Sequence, residues 1–206
     1  SDYGFFTSGY GWFNVFLLML IFGGIVLDKM GVRFTGLGAS IIMVLGTLIK
    51  YWAVSTHSLD GQTWHILFWD AKAQVFMAGL GFAIFGVGVE VAGITVSKII
   101  VKWFKGKELA LAMGLEMATA RMGTALALST SVPIAKAFNT VSAPILLCLI
   151  LLCIGLIAFI IYTFMDKKLD VSQAAVNKEN NFVDEEEAFR ASDILKIVTN
   201  KGWWYI

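Results

Sequence analysis

Five long apolar segments constrain this chain of 206 residues more than any other feature, because each is long enough to cross a lipid bilayer. A membrane-spanning helix needs roughly 20 mainly apolar residues. The segments lie at about 9–27, 34–54, 73–100, 108–136 and 143–165. Backbone polar groups inside lipid must be satisfied within the segment, so long apolar runs without strand-like alternation predict helices. The sequence therefore predicts an all-α, polytopic membrane helix bundle and not a water-soluble enzyme.

The distribution of charge excludes one class of partner and predicts an orientation. The formal net charge is only +1, so no basic surface is available for nucleic acid. Basic residues concentrate in alternate connections, with Lys29 and Arg33 after the first segment and Lys98 to Lys107 around the turn after the third. By the positive-inside rule, these connections and the tail from Asp166 face the cytoplasm.

The composition changes at about residue 165 and divides the chain. Residues 1–165 are predicted to form a partial transmembrane bundle embedded in the lipid bilayer. Residues 166–201 are polar and predict a cytoplasmic linker that contains an amphipathic helix. Residues 202–206 carry an aromatic cluster typical of the membrane interface, which predicts the start of the next transmembrane helix. A long linker at this place separates two membrane halves.

The sequence predicts neither a metal site nor a cofactor. Cys148 and Cys153 lie in one apolar segment and point away from each other on a helix. The histidines and aspartates of the loop between the second and third segments have no recognisable ligand spacing. They are His57, Asp60, His65 and Asp70.

A short motif, G-x-x-x-D-K-x-G-x-R, follows the first segment and consists of Gly24, Asp28, Lys29, Gly31 and Arg33. The glycines permit a tight, closely packed turn. Asp28 can pair with Arg33 or face a helix N-terminus, and Lys29 anchors the cytoplasmic side. In this position the motif resembles the loop between helices two and three of the major facilitator superfamily, with the same spacing throughout.

The resemblance implies that the chain holds helices two to six of an N-terminal half, without the first helix. Residues 1–8 would then be the outer end of the loop that follows the first helix. The stretch from Trp103 to Gly123 also resembles the lysosomal dipeptide-transporter branch and its bacterial relatives. These resemblances imply alternating access against a C-terminal half, with the Asp28 loop as a cytoplasmic latch. A bacterial inner membrane is the favoured location, and a lysosomal membrane is the alternative.

Glu90 and Arg121 are ionisable residues deep within their segments, which makes them candidates for a functional site. Counted from the basic turn, Glu90 is about 11 residues deep and Arg121 about 14, or roughly 16 and 21 Å along a helix. Each lies on a stripe of small residues, which lets helices approach closely or leaves room for a ligand. The stripe of Glu90 consists of Gly79, Ala83, Gly86, Gly93 and Ser97, and that of Arg121 consists of Gly114, Ala118 and Ala125. Two interpretations stay open: a buried structural ion pair, or two groups that bind the ends of a zwitterion near the bilayer midplane.

The chemistry of these groups predicts a small zwitterionic substrate such as a dipeptide. The planar fork of arginine suits a carboxylate, and a glutamate suits an ammonium group. The dipeptide-transporter resemblance implies the same role for charged residues of helices four and five, where Glu90 and Arg121 fall. Glu116 is a third candidate, either for proton coupling or gating or as a local partner of Lys105 or Lys107.

Two other functions remain open on the sequence. A proton-coupled carrier of organic anions would use Arg121 for the anion and Glu90 for the proton. A non-transporting membrane scaffold or receptor would use both residues as a structural pair.

Overall fold

A computed structural model describes residues 2–16, 19–56, 59, 61–66, 69–104 and 108–180. Its helices are α1 (Asp2–Phe16), α2 (Met19–Ser55), α3 (Ala73–Trp103), α4 (Leu109–Ala137) and α5 (Ala143–Asn180). Between α2 and α3, strand β1 (Thr63–Ile66) pairs antiparallel with β2 (Trp69–Lys72). The predicted helical bundle is confirmed, and a short hairpin is added to it at one end.

The motif glycine Gly31 interrupts α2 and lets it contribute to two of the predicted segments. Its φ of 79° and ψ of 168° stand between helical neighbours, in a region that favours glycine because a Cβ atom would be strained there. Lys29, two residues earlier, is exposed. Gly24 is helical, and a Cβ atom on it would meet nothing within 4 Å. The predicted tight turn is therefore made by Gly31, whereas the structure does not require a glycine at Gly24.

The contacts with α3 show that the chain reverses direction at this break. Before Gly31, contacts to α3 move to higher residue numbers of α3 as the chain proceeds through α1 and the start of α2. After Gly31, contacts from the rest of α2 move to lower residue numbers of α3. The pairs before the break are Gly9 with Gly79 and Gly23 with Val91; those after it are Met43 with Gly88 and Lys50 with Gly81. We call the end of the bundle with Gly31 and Trp103 the basic end.

Small residues on α3 let two other helices pack closely against it. A Cβ atom on Gly46 of α2 would lie 2.5 Å from the backbone nitrogen of Phe85 and 2.7 Å from the carbonyl oxygen of Gly81. On the α1 side, a Cβ atom on Gly9 would lie 2.8 Å from the carbonyl oxygen of Gly79. Gly79, which belongs to the small-residue stripe of α3, thus allows the close approach of α1, one of the two uses that the sequence left open, while Gly81 outside that stripe allows the approach of α2.

By length and composition, three stretches of the described residues are helical and apolar enough to cross a membrane. They are Ile21–Ser55, Ala73–Trp103 and Ala143–Ser172. Helix α4 is not one of them, and none of its residues is buried. A helix with central charges is stable in a bilayer when those charges face protein or a water-filled cavity. Helix α4, which corresponds to the fourth predicted segment at about 108–136, carries Glu116 and Arg121 within its length.

Two boundaries differ from those drawn on the sequence. Residues 2–8, expected at the end of a loop, belong to α1, because their aromatic rings pack on α3. The ring of Phe6 stacks on Phe82 with centroids 5.1 Å apart. Helix α5 continues into the predicted linker and ends at Asn180. The predicted amphipathic helix and the predicted start of a span at 202–206 lie outside the described residues.

Candidate functional site

Glu90 lies near the middle of α3, where a phenol and not a cation contacts its carboxylate. The hydroxyl of Tyr10 on α1 donates a hydrogen bond of 2.7 Å to Oε1 of Glu90. The ring of Tyr10 fits here because Gly86 has no side chain: a Cβ atom on Gly86 would lie 2.9 Å from Cδ2 of Tyr10. Oε2 of Glu90 accepts no hydrogen bond from the described residues.

Arg121 lies near the middle of α4, and its side chain is exposed. Among the described residues it forms no ion pair. The structural pair with Glu90, one of the two interpretations of the sequence, is therefore not formed in this part of the chain. Its small neighbours on the stripe are exposed as well; they are Gly114, Ala118 and Ala125.

Glu116, the third candidate, connects α4 to α3. The hydroxyl of Ser97 donates a hydrogen bond of 3.2 Å to Oε1 of Glu116. Ser97 belongs to the same small-residue stripe of α3 as Glu90. The lysines considered as its local partners, Lys105 and Lys107, lie outside the described residues.

The ion pairs of the loop motif differ from those considered on the sequence. Asp28 pairs with Lys98 of α3 at 2.7 Å, and both side chains are partly exposed, 37% and 45%. Nε of Arg33 donates to Oδ2 of Asp166 at 2.7 Å, and its Nη2 contacts Asp170. Asp28 therefore does not pair with Arg33, which was one of the two possibilities open on the sequence, because α5 places a buried carboxylate beside Arg33 and α3 places a lysine beside Asp28.

Asp166 is the centre of a network that was not predicted from the sequence. Its side chain is fully buried. Lys102 donates to its two oxygens at 2.9 and 3.0 Å and to Asp170 at 2.7 Å. The indole of Trp103 and the hydroxyl of Tyr162 donate to Oδ1 at 3.2 and 3.0 Å. We call the four charged residues Arg33, Lys102, Asp166 and Asp170 the charge cluster; it joins α2, α3 and α5 at the basic end.

A signal for the charge cluster is present in the sequence, although it is weak. Asp166 and Asp170 stand one helical turn apart and face basic residues of two other helices. The sequence predicts that a linker starts at Asp166, because the chain becomes polar there. Only the observation that α5 continues as a helix puts both aspartates on a packed surface.

Two further polar groups lie on the faces of α1 and α2 that pack against α3. Oδ1 of Asn14 is buried and has no hydrogen-bond partner among the described residues. The ammonium of Lys50 lies over the rings of Phe6 and Phe82, 5.2 and 4.9 Å from their centroids. These are cation–π distances, so Lys50 is stabilised by aromatic faces within the bundle.

Comparison with known proteins identifies one family and one group of relatives. The profile described as "Major Facilitator Superfamily" matches residues 1–206. The lysosomal dipeptide transporter MFSD1 of zebrafish (Danio rerio) is 32% identical over 117 residues, which are 56% of this chain and 21% of that protein. The mouse (Mus musculus) protein of the same name is 33% identical over 116 residues, again 56% and 21%. The match thus spans about a fifth of the length of these relatives. No solved structure matches the chain significantly.

Proposed function

Because the chain belongs to the major facilitator superfamily, we propose that it is the N-terminal half of a carrier that moves dipeptides by alternating access. The chain is part of a multi-pass membrane transporter, not an enzyme. Its curated relatives are named as lysosomal dipeptide transporters. The substrate is proposed from that similarity together with the charges of α3 and α4.

The observation that carries the proposal is that two opposite charges near the middle of α3 and α4 do not pair with each other. Glu90 is contacted by a neutral phenol, and Arg121 forms no ion pair among the described residues. Neither charge is therefore neutralised by the other. In the proposed site, Arg121 binds the carboxylate end of the substrate through its planar fork, and Glu90 binds the ammonium end.

A zwitterion of limited length fits a site in which Arg121 binds one end of the substrate and Glu90 binds the other. A fully extended peptide of two residues spans about 7 Å between its ends. A site that recognises both ends selects for length and tolerates different side chains, because the side chains are not the groups that are paired. Transporter sites of this kind lie near the bilayer midplane, where α3 and α4 carry their central charges.

Alternating access requires the bundle to move against a second, C-terminal bundle. We propose that the charge cluster keeps α2, α3 and α5 together during this movement, and that the basic end faces the cytoplasm. The Asp28 loop is proposed as the cytoplasmic latch. Its ion pair with Lys98 is partly exposed, which is the property of a contact that can be exchanged for another.

The proposal is tested by uptake of radiolabelled alanyl-alanine into proteoliposomes of the complete carrier. Glu90→Gln should raise KM about 10-fold to 100-fold, as expected for a lost hydrogen bond to a charged group, and should weaken discrimination against N-acetyl-alanyl-alanine. Arg121→Ala should weaken discrimination against alanyl-alanine amide. Lys136→Ala, an exposed charge near the end of α4, is the matched control and should leave both preferences unchanged.

Other outcomes of this experiment favour the other functions. Unchanged uptake in both variants would remove Glu90 and Arg121 from the site. Uptake of organic anions driven by a pH gradient, and uncoupled from it only by Glu90→Gln, would favour a proton-coupled anion carrier. If no solute moves while the doubly neutral variant stays folded, the protein is a scaffold or receptor. Glu116→Gln keeps an acceptor for Ser97, so a changed pH profile in that variant would assign Glu116 to coupling or gating.

A further inference from the structure

We propose that Tyr10 is a positioning residue for Glu90, which fixes one carboxylate oxygen and so directs the other toward the ammonium end of the substrate. This inference rests on the proposed function, because it concerns the same site. It adds a residue of α1 to the charged residues of α3 and α4.

The phenol of Tyr10 is fixed in place by its surroundings. Its ring lies against Gly86, where a Cβ atom would approach Cδ2 to 2.9 Å and Cε2 to 3.1 Å. The ring of Phe82 packs beside it with centroids 5.5 Å apart. Phe82 itself stacks on Phe6 and Phe85. A ring held between Gly86 and Phe82, which is itself stacked between two other phenylalanines, directs its hydroxyl to Oε1 of Glu90.

The chemistry of a phenol suits this task better than that of a cation. An arginine or lysine at this distance would pair with the carboxylate and cancel its charge. A phenol donates one hydrogen bond and leaves the full negative charge of Glu90 in place. The hydrogen bond occupies Oε1, so Oε2 has lone pairs available for the N–H groups of an ammonium.

The same place holds a second acceptor without a donor. Oδ1 of Asn14 is buried and unpaired among the described residues, and Nδ2 of the same amide lies 3.1 Å from the position of a Cβ atom on Gly86. Asn14 and Tyr10 therefore both cover Gly86, one turn before Glu90. A buried acceptor without a partner is costly, and a ligand group with several N–H donors relieves that cost.

The test compares two tyrosines that each donate to a carboxylate. Tyr10→Phe removes the hydroxyl and keeps the ring on Gly86 and Phe82. Its KM for alanyl-alanine should rise about tenfold with Vmax unchanged. Its preference for alanyl-alanine over N-acetyl-alanyl-alanine should become smaller. Tyr162→Phe removes the phenol from Asp166 at the basic end and should change neither quantity.

A double-mutant cycle shows whether Tyr10 acts through Glu90. In the Glu90→Gln background, Tyr10→Phe should have no further effect on the preference for a free amino terminus. Additive effects of the two changes, or an unchanged KM and preference in Tyr10→Phe alone, would overturn the proposal. If Glu90→Gln itself has no effect, the proposed function fails at this site, which is a separate result from failure of Tyr10 alone.

Discussion

The charge cluster differs from the central charges, which are Glu90 on α3 and Arg121 on α4, in how many partners each ionised side chain has. At the basic end, the buried Asp166 receives hydrogen bonds from two cations, an indole and a phenol. At the middle of the bundle, Glu90 receives one hydrogen bond from a neutral group, and Arg121 is exposed. One region satisfies its charges completely and the other leaves them open.

Under the proposed function, this difference separates a structural from a functional use of charge. Removing an ion from water costs several kcal/mol unless opposite charges and hydrogen bonds compensate it. The charge cluster meets that requirement within three helices of the chain. The described residues do not bury the central charges, Glu90 and Arg121, in the same way: Arg121 is exposed and Glu90 is half-buried.

The largest expected effect is that of Asp166→Asn on stability. The substitution keeps the shape of the side chain but leaves Arg33 and Lys102 without their buried counter-ion. Breaking a buried ion pair from one side costs about 3 kcal/mol, taken at the low end because Arg33 and Lys102 remain 32% and 25% exposed. Thermal unfolding of the purified carrier in detergent measures the loss.

The control for this prediction is Asp170→Asn, since Asp170 shares the same cations but is 39% exposed. Its effect on the unfolding temperature should be clearly smaller. Equal effects of the two substitutions would show that burial of Asp166 does not determine the strength of the charge cluster.

A smaller loss of stability is expected from substitution of either of two lysines that lie one turn apart on α3. Lys102→Gln removes a cation from the buried Asp166 and should cost about 2 kcal/mol, as for hydrogen bonds to charged groups. Lys98→Gln removes the partner of Asp28, whose side chain is 37% exposed, and should cost less than about 1 kcal/mol. Unfolding at low and high salt distinguishes them, because salt screens the exposed pair. If the loss of stability in Lys102→Gln depended more strongly on salt than that in Lys98→Gln, the Lys102 pair would be the exposed one, contrary to this prediction.

The sequence predicts the helices well because it records what each segment must bury. The apolar segments, the turn at Gly31 and the small-residue stripe of α3 depend on local composition and backbone freedom. The partners of Asp28 and Arg33 could not be predicted in the same way, because they come from α3 and α5. Periodicity does not show which faces of distant helices meet.

The site shows the same division between local and distant information. Glu90, Glu116 and Arg121 stand out because a charge within an apolar segment is visible in the sequence alone. Tyr10 does not, because a tyrosine in an aromatic-rich helix is ordinary until a partner 80 positions away is known. Close packing through Gly9 and Gly86 brings the two together, and the sequence indicates only that these residues are small.

The smallest expected effect on stability, in the double variant Glu90→Gln and Arg121→Ala, separates the two regions most sharply. Neither residue satisfies a buried charge of the described chain, so the free energy of unfolding should change by less than about 0.5 kcal/mol. Uptake of alanyl-alanine should nevertheless be lost, because both ends of the substrate lose their partners. Thermal unfolding and uptake of the same preparation give the two values. A loss of stability as large as that of Asp166→Asn would show that the central charges are paired in the complete carrier. Glu90 and Arg121 would then stabilise the fold and would not bind the substrate.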